Sequence, residues 1–313
     1  MLGKWAEAYI VTALRSEGST ASNNVGGLSA LMSTRMADAI DANRHKANMG
    51  ILSQFIAINR RLSRRLTPTH IHEANAFGVY RKLGAILLSH PKTKRVVDCG
   101  AGAAWQFPDY YKRWYDIHLI GLDIDAHEMD DNRSLDEKIQ CDVTTNIPVA
   151  PHSIDLFMIS SGVEHFKNND AFLRNAFLAL RPGGFLIAQF PGRYAPFAIV
   201  NRLLPKKAAR SLIRVATSDD AGVLGFTAYY DRTHYSAFAA MAKENGFSEV
   251  YHCPGFYSSY YAEFFFPLWI LSYAYDILRF ALGIRNLASY NVFLFQKPEA
   301  IRDGEPMKLY AWK

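Results

Sequence analysis

Apolar positions along the chain follow two rhythms. Between Lys94 and Phe190, short unbroken apolar runs alternate with stretches in which apolar residues return every three or four positions. The runs predict strands over 94–99, 117–122, 137–141, 154–160 and 184–190. The intervening stretches predict helices over about 104–114, 126–133 and 169–180. Such alternation gives a mostly parallel sheet with helices on both faces, an α/β fold. A helix over 236–245 stopped by Gly246, a strand over 247–253 and a closing strand from Ser289 to Gln296 bring the sheet to seven strands.

The flanks follow the helical rhythm alone. Ile51, Phe55, Ile58 and Leu62 share one face of a helix over 51–66, and Arg60, Arg61, Arg64 and Arg65 lie off that face. The expectation is a core-facing stripe with a solvated cationic back; the sharper alternative is an anion-binding or membrane-facing surface. Thr67-Pro68 ends the helix, and another runs over 71–89. Upstream, a short helix over 1–16, a flexible link from Gly18 to Gly27 and a polar helix over 28–47 complete an N-terminal helical extension, residues 1–90. The main domain is then 91–298, with a tail over 299–313.

Two segments break the alternation. Residues 191–233 are proline-punctuated, with Lys206, Lys207, Arg210 and Arg214 on a short helical pattern and a turn at Asp219-Asp220-Ala221-Gly222. An insertion after strand five leaves the carboxyl edge of the sheet, so it reads as a substrate lid. Phe264 to Ile284 is the most apolar stretch, but only the twelve residues between Glu263 and Asp276 are uncharged, too few to span a bilayer. It reads as a helix packed on the fold, with Asp276 and Arg279 placed to pair, or else as an acceptor wall or monolayer-dipping face.

Composition narrows the partners. Of 313 residues, half are hydrophobic and a fifth charged, as in a folded globular chain. Three cysteines offer neither a disulfide framework nor metal spacing, and His70 and His72 have no third ligand nearby, so no metal is expected. A reducing cytoplasm fits these thiols, with or without peripheral membrane contact. The +6 charge is concentrated: residues 1–95 hold 14 Lys or Arg against 5 Asp or Glu. A basic surface favours anionic partners, but aromatic residues do not alternate with Lys and Arg, and nucleic acid is not the expected one.

The chemistry centres on Arg95 to Trp105, an apolar strand ending at Asp98 and followed by Gly100-Ala101-Gly102. Glycine lets the backbone approach a ligand closely. A second strand ends in Asp123 about twenty residues on, where dinucleotide folds hold a ribose. Trp105 stands where a dinucleotide fingerprint wants its third glycine, and a carboxylate at Asp98 repels pyrophosphate but attracts a cation.

These residues resemble the class I S-adenosylmethionine-dependent methyltransferases. Gln140-Cys141-Asp142-Val143 is similar to that family's third strand tip. The segment Ser153 to Phe166 resembles its fourth strand and following loop, and Leu180 to Ile187 its turn into strand five. The likeness is tight over about 90–190 and loose over 228–297, with Ala104 where many members have glycine. It implies a Rossmann-like sheet and S-adenosyl-L-methionine as cofactor, with a site built from Asp98, Gly100, Gly102, Asp123, Asp142, Val143 and Ser160. Within it, Asp98 lies near the amino-acid end, Asp123 holds the sugar and Asp142 faces the adenine amino group. It further implies transfer to a hydroxyl or amine of a small-molecule, sugar or lipid-like acceptor. His165, Asp231 and His234 are candidate bases. Glu164 and His165 also suit loop capping. The rivals are a non-catalytic nucleoside-binding scaffold of the same fold and an NAD-dependent oxidoreductase.

Overall fold

The structure is a computed structural model, in which residues 51–68, 75–203 and 227–299 are described. The predicted helices at 1–16 and 28–47, the link at 18–27, His70, His72, the Lys206–Arg214 pattern, the Asp219–Gly222 turn and the tail from residue 300 lie outside them.

The predicted alternation produces β1 (Arg95–Cys99), β2 (His118–Asp123), β3 (Glu137–Gln140), β4 (Ile154–Ser160) and β5 (Leu180–Pro191), all parallel to one another, with β6 (Ser248–Gly255) and β7 (Tyr290–Gln296) completing the sheet. Strand order is β3-β2-β1-β4-β5-β7-β6, and β7 runs antiparallel to both β5 and β6. This is a Rossmann-like sheet. Order reverses between β1 and β4, so a crevice opens there at the carboxyl tips.

Alternate residues of each strand feed two cores. Val97, Ile120, Phe157 and Ile159 face a layer with α4 (Asn169–Ala179) and α6 (Tyr235–Glu244). Val96, Leu119, Leu156 and Met158 face α2 (Ala76–Leu88). Period-two side chains on a sheet buried on both faces require this division. The α2 helix is capped by Asn75, whose side chain accepts the Gly78 N–H at 2.7 Å.

Three predicted helices differ from expectation. In place of 104–114 stands α3 (Tyr110–Tyr115), because Pro108 disfavours helical geometry at Phe107. In place of 126–133 is one 3₁₀ turn, Ala126–Met129. Asp130, Asp131 and Asn132 follow it, residues that favour turns over helix interiors. The third departure is α1 (Ile51–Leu66). Its apolar stripe is exposed, with Ile58 67% accessible, while Asn59, Ser63 and Thr67 are buried. The stripe does not face the core.

The reason lies in α7 (Phe266–Leu282), against which α1 packs. Asn59 accepts the Phe266 N–H at 2.9 Å, supplying a cap to α7 from another helix, and donates to Phe55 O at 2.8 Å. Arg64 pairs with buried Glu263 at 2.7 Å. The predicted Asp276–Arg279 pair forms, and both members are buried. Asp276 accepts the Ser258 and Ser259 N–H groups, and Arg279 donates to Phe256 O, Leu287 O and Ser289 Oγ. The α7 helix is therefore docked by its charges.

Candidate functional site

The crevice is built from strand ends. At the β1 tip the chain turns through Gly100 and Gly102, both at positive φ (69° and 48°), which L side chains reach only with strain. The Gly100 N–H donates to Leu122 O at 2.7 Å, binding the turn to β2. A Cβ on either glycine would meet nothing within 4 Å, so the turn is open above. Asn132, almost wholly buried, braces it from below by donating to Ala101 O and Gly102 O at 3.1 and 3.0 Å. No sequence reading singled out Asn132; its partners are 31 and 30 residues away, and only the three-dimensional turn brings them together.

Asp123 ends β2 and accepts the Gly102 N–H at 3.2 Å and the Asp125 N–H at 3.1 Å. Asp98 is half-buried at the end of β1, and no side chain or backbone N–H among the described residues bonds to its carboxylate. Loss of hydration, then the charge of Asp123, push the Asp98 carboxyl well above its ordinary range. Two such carboxylates across an open turn suit a cationic group, which would relieve both. They oppose a pyrophosphate. Trp105 is buried against Phe107, so no third glycine could serve there.

The other predicted contacts divide. Asp142 is exposed beyond β3 and forms a local turn, accepting from Thr144 N at 2.9 Å and Thr144 Oγ1 at 2.7 Å. Val143 points into the core, so its side chain is committed to packing. Ser160 donates to Gln189 Oε1 at 2.9 Å, and Ser161 adopts a positive φ of 56° at the β4 tip.

The three candidate bases are not equivalent. Asp231 accepts the Asn169 N–H at 2.9 Å, and its backbone oxygen accepts from Asn169 Nδ2 at 2.6 Å. It fastens the start of α4 and pairs with Arg232, a structural task. His234 is the residue before α6 and lies against Tyr194; burial and then Arg193 lower its pKa. His165 is half-buried with Nδ1 3.2 Å from Thr227 O, and burial lowers its pKa.

Beside His165 sits Glu164, a residue weighed in the sequence but not chosen. It is buried, its Oε2 has no hydrogen-bond partner among the described residues, and burial pushes its pKa up to about 8. Its backbone oxygen accepts the Tyr229 and Tyr230 N–H groups at 2.8 and 3.0 Å, joining the loop after β4 to the segment before α6. Tyr230 packs with Ala195 and Ala198, the latter in α5 (Pro196–Leu203). Tyr260, Tyr261 and Tyr290 share hydroxyl contacts of 2.5 and 3.0 Å near the β7 start. The only sequence signal for Glu164 was an acid just past a strand tip. A depression of about 420 Å³ lined by Ala239, Lys243, Phe247 and Glu249 lies elsewhere, against the start of β6.

Residues 97–188 match the family model described as a methyltransferase domain. No curated protein matches the sequence. Among solved structures, the chain is similar to phosphoethanolamine N-methyltransferase 2 of Haemonchus contortus in complex with S-adenosyl-L-methionine. That likeness has 14% identity and a TM-score of 0.43, over 66% of this chain and 49% of the other. It is similar to an S-adenosylmethionine-dependent methyltransferase from Mesorhizobium loti at 15% identity and a TM-score of 0.44, over 72% and 99% of the two chains. It is also similar to geranyl diphosphate C-methyltransferase from Streptomyces coelicolor at 11% identity and a TM-score of 0.44, over 69% and 77%. The chain spans about half the length of the first of these.

Proposed function

We infer from the class I S-adenosylmethionine-dependent methyltransferases, the family to which this chain belongs through residues 97–188, that it methylates a hydroxyl or amine of a small-molecule, sugar or lipid-like acceptor. One observation carries the reading: an open glycine turn flanked by Asp98 and Asp123 at the point where strand order reverses. Asp98 and the Gly100–Gly102 turn would hold the amino-acid end of the cofactor, Asp123 the ribose, Asp142 and the Val143 backbone the adenine, and Ser160 at the β4 tip would lie beside the methyl donor. When bound, S-adenosylmethionine supplies an electrophilic methyl group on sulfur.

The chain's own part is alignment and proton removal. The new bond joins acceptor oxygen or nitrogen to the methyl carbon as the carbon–sulfur bond breaks, and the acceptor proton leaves to a base. We assign that proton to Glu164, whose raised pKa suits a base working near neutrality. His165, with Nε2 3.9 Å from Glu164 Oε1, stands next in line. Asp231 is set aside because its carboxylate holds α4. The 191–233 segment, described over 191–203 and 227–233, would serve as the lid over the acceptor. A cytoplasmic setting and an acceptor other than nucleic acid belong to the same reading.

Calorimetric titration with S-adenosylmethionine and with NAD, followed by transfer of a tritiated methyl group to fractionated cell extract, tests it. Binding of the first and not the second, with label entering a small-molecule or lipid fraction, is the expected result. No affinity for S-adenosylmethionine, or equal loss-free binding by Asp98→Ala and Asp123→Ala variants, would refute it.

A further inference from the structure

On α7, the charged side chains Asp276 and Arg279 are both buried, and every exposed side chain is aliphatic, proline or aromatic. Leu268, Leu271, Tyr275, Leu278, Phe280 and Leu282 are among those open to solvent. A water-soluble helix shows the reverse arrangement. The neighbouring α1 buries Asn59 and Ser63 and exposes Ile51, Phe55, Ile58 and Leu62 alongside Arg61, Arg64 and Arg65. The two apolar faces meet, since the rings of Phe55 and Phe265, both exposed, lie 6.5 Å apart. A contiguous apolar surface of this kind marks an interaction site.

The chemistry of its surroundings selects the occupant. Protein interfaces carry regular hydrogen bonds and a polar rim. The exposed face of α7 offers only the Tyr275 hydroxyl. Arg61 and Arg65 are exposed one turn apart along the far edge of the α1 stripe, beyond Ile58 and Leu62. Aliphatic and aromatic side chains bordered by arginines fit the headgroup–acyl boundary of an anionic membrane. At 17 residues, α7 is about 26 Å long. No helix among the described residues is long and apolar enough to cross a bilayer, and the buried charges of α7 hold its other face to the protein.

We propose that α1 and α7 together form a membrane-docking face that lies in the plane of an anionic phospholipid surface, with α7 sunk to the acyl boundary and Arg61 and Arg65 on the headgroups. The 3₁₀ turn Ser259–Ala262, which carries Tyr260 and Tyr261, leads directly into α7. Docking would therefore set the tyrosine-lined end of the sheet beside the lipid. The proposal stands independently of the methyltransferase reading.

Co-sedimentation of the full chain with vesicles of phosphatidylglycerol and phosphatidylcholine, and of phosphatidylcholine alone, tests it. Binding to the mixed vesicles is expected, weakened by added salt. Leu271→Glu/Leu278→Glu should lower the affinity at least about tenfold, since buried leucines supply the insertion. Arg61→Gln/Arg65→Gln should lower it about twenty-five-fold on mixed vesicles only, at about fivefold per arginine. Calorimetry with S-adenosylmethionine on each variant reports whether the strand-tip site persists and leaves the two readings separable. A wild-type chain that stays in the supernatant overturns the proposal. So does wild-type vesicle binding by Leu271→Glu/Leu278→Glu. An oligomer that this variant dissociates, without vesicle binding by the wild type, would instead assign the face to a second copy.

Discussion

Val97 of β1 and Ile58 of α1 are both aliphatic residues that hydropathy assigns to a core, yet Val97 is wholly buried and Ile58 is 67% exposed. In the sheet, apolar side chains turn inward and carboxylates gather at the tips, where a ligand can reach them. In the α1–α7 layer, Glu263, Asp276, Arg279 and Asn59 turn inward, and the apolar faces turn out beside exposed Arg61 and Arg65. The difference teaches that periodicity identifies a helix and its two faces without saying which face is buried. Polar partners decide that. A helix whose inward groups find a full set of hydrogen bonds can leave its apolar side free for another solvent.

The largest expected effect strikes the inverted layer. Asp276→Ala leaves Arg279 buried without its partner, and urea denaturation should show a loss of about 3–5 kcal/mol. Asp276→Leu/Arg279→Met removes both charges and should recover much of that loss. If the single substitution costs less than about 1 kcal/mol, the charges do not hold α7 and the contrast between the layers collapses.

Next in size is Glu164, a buried carboxyl just past the β4 tip whose Oε2 has no partner among the described residues. Its folded pKa, about 8, lies above the ordinary 4.5 of the unfolded chain. The folded form then holds its proton through a range in which the unfolded form has lost it. The stabilising contribution is complete below about pH 4.5 and disappears as pH rises toward 8, a loss of about 3 kcal/mol by pH 7. Glu164→Gln should flatten that slope in denaturation curves taken across the window. As a base Glu164 must be deprotonated, so methyl transfer should climb with pH and level off above about 8, and Glu164→Gln should lose that rise. A wild-type stability curve flat between these limits would show that the carboxyl is not desolvated.

How far the site was legible follows from the same contrast. Asp98, Gly100, Gly102 and Asp123 could be read because each ends an apolar run or interrupts one, and a parallel sheet puts all such ends on one edge. Strand limits agreed within a few residues for the same reason, save β5, which starts at Leu180 and carries the Arg181–Gly184 turn within it. The helix expected over 104–114 failed at Phe107-Pro108, a breaker inside an otherwise periodic stretch. Asn132 could not be read at all, because its role is a contact to the glycine turn across the fold. The α1 stripe was found and its burial reversed, since Asn59 and Ser63 show no sequence mark of facing α7.

Asp123→Ala should weaken S-adenosylmethionine binding about tenfold to a hundredfold by calorimetry, the equivalent of about 1.5–3 kcal/mol for hydrogen bonds to a charged group. It also frees the Gly102 and Asp125 N–H groups; the companion Asp123→Asn keeps the size and loses the charge, but its single amide oxygen can serve only one of those two N–H groups. Should both variants bind like the wild type, the β2 tip does not hold the ribose.

The smallest expected effect separates the two regions most directly. Ile58→Ser removes an exposed side chain from α1, and in the absence of membrane its effect on stability should stay within about 0.5 kcal/mol. Leu119→Ala, at a fully buried β2 position, should cost about 2–5 kcal/mol in the same denaturation experiment. The ratio of the two does not depend on the cofactor or the acceptor, only on which way each side chain faces. If Ile58→Ser proves as costly as Leu119→Ala, the α1 stripe is buried in the protein in solution. The inverted layer would then be a second core, and what distinguishes it from the sheet would be its covering segment.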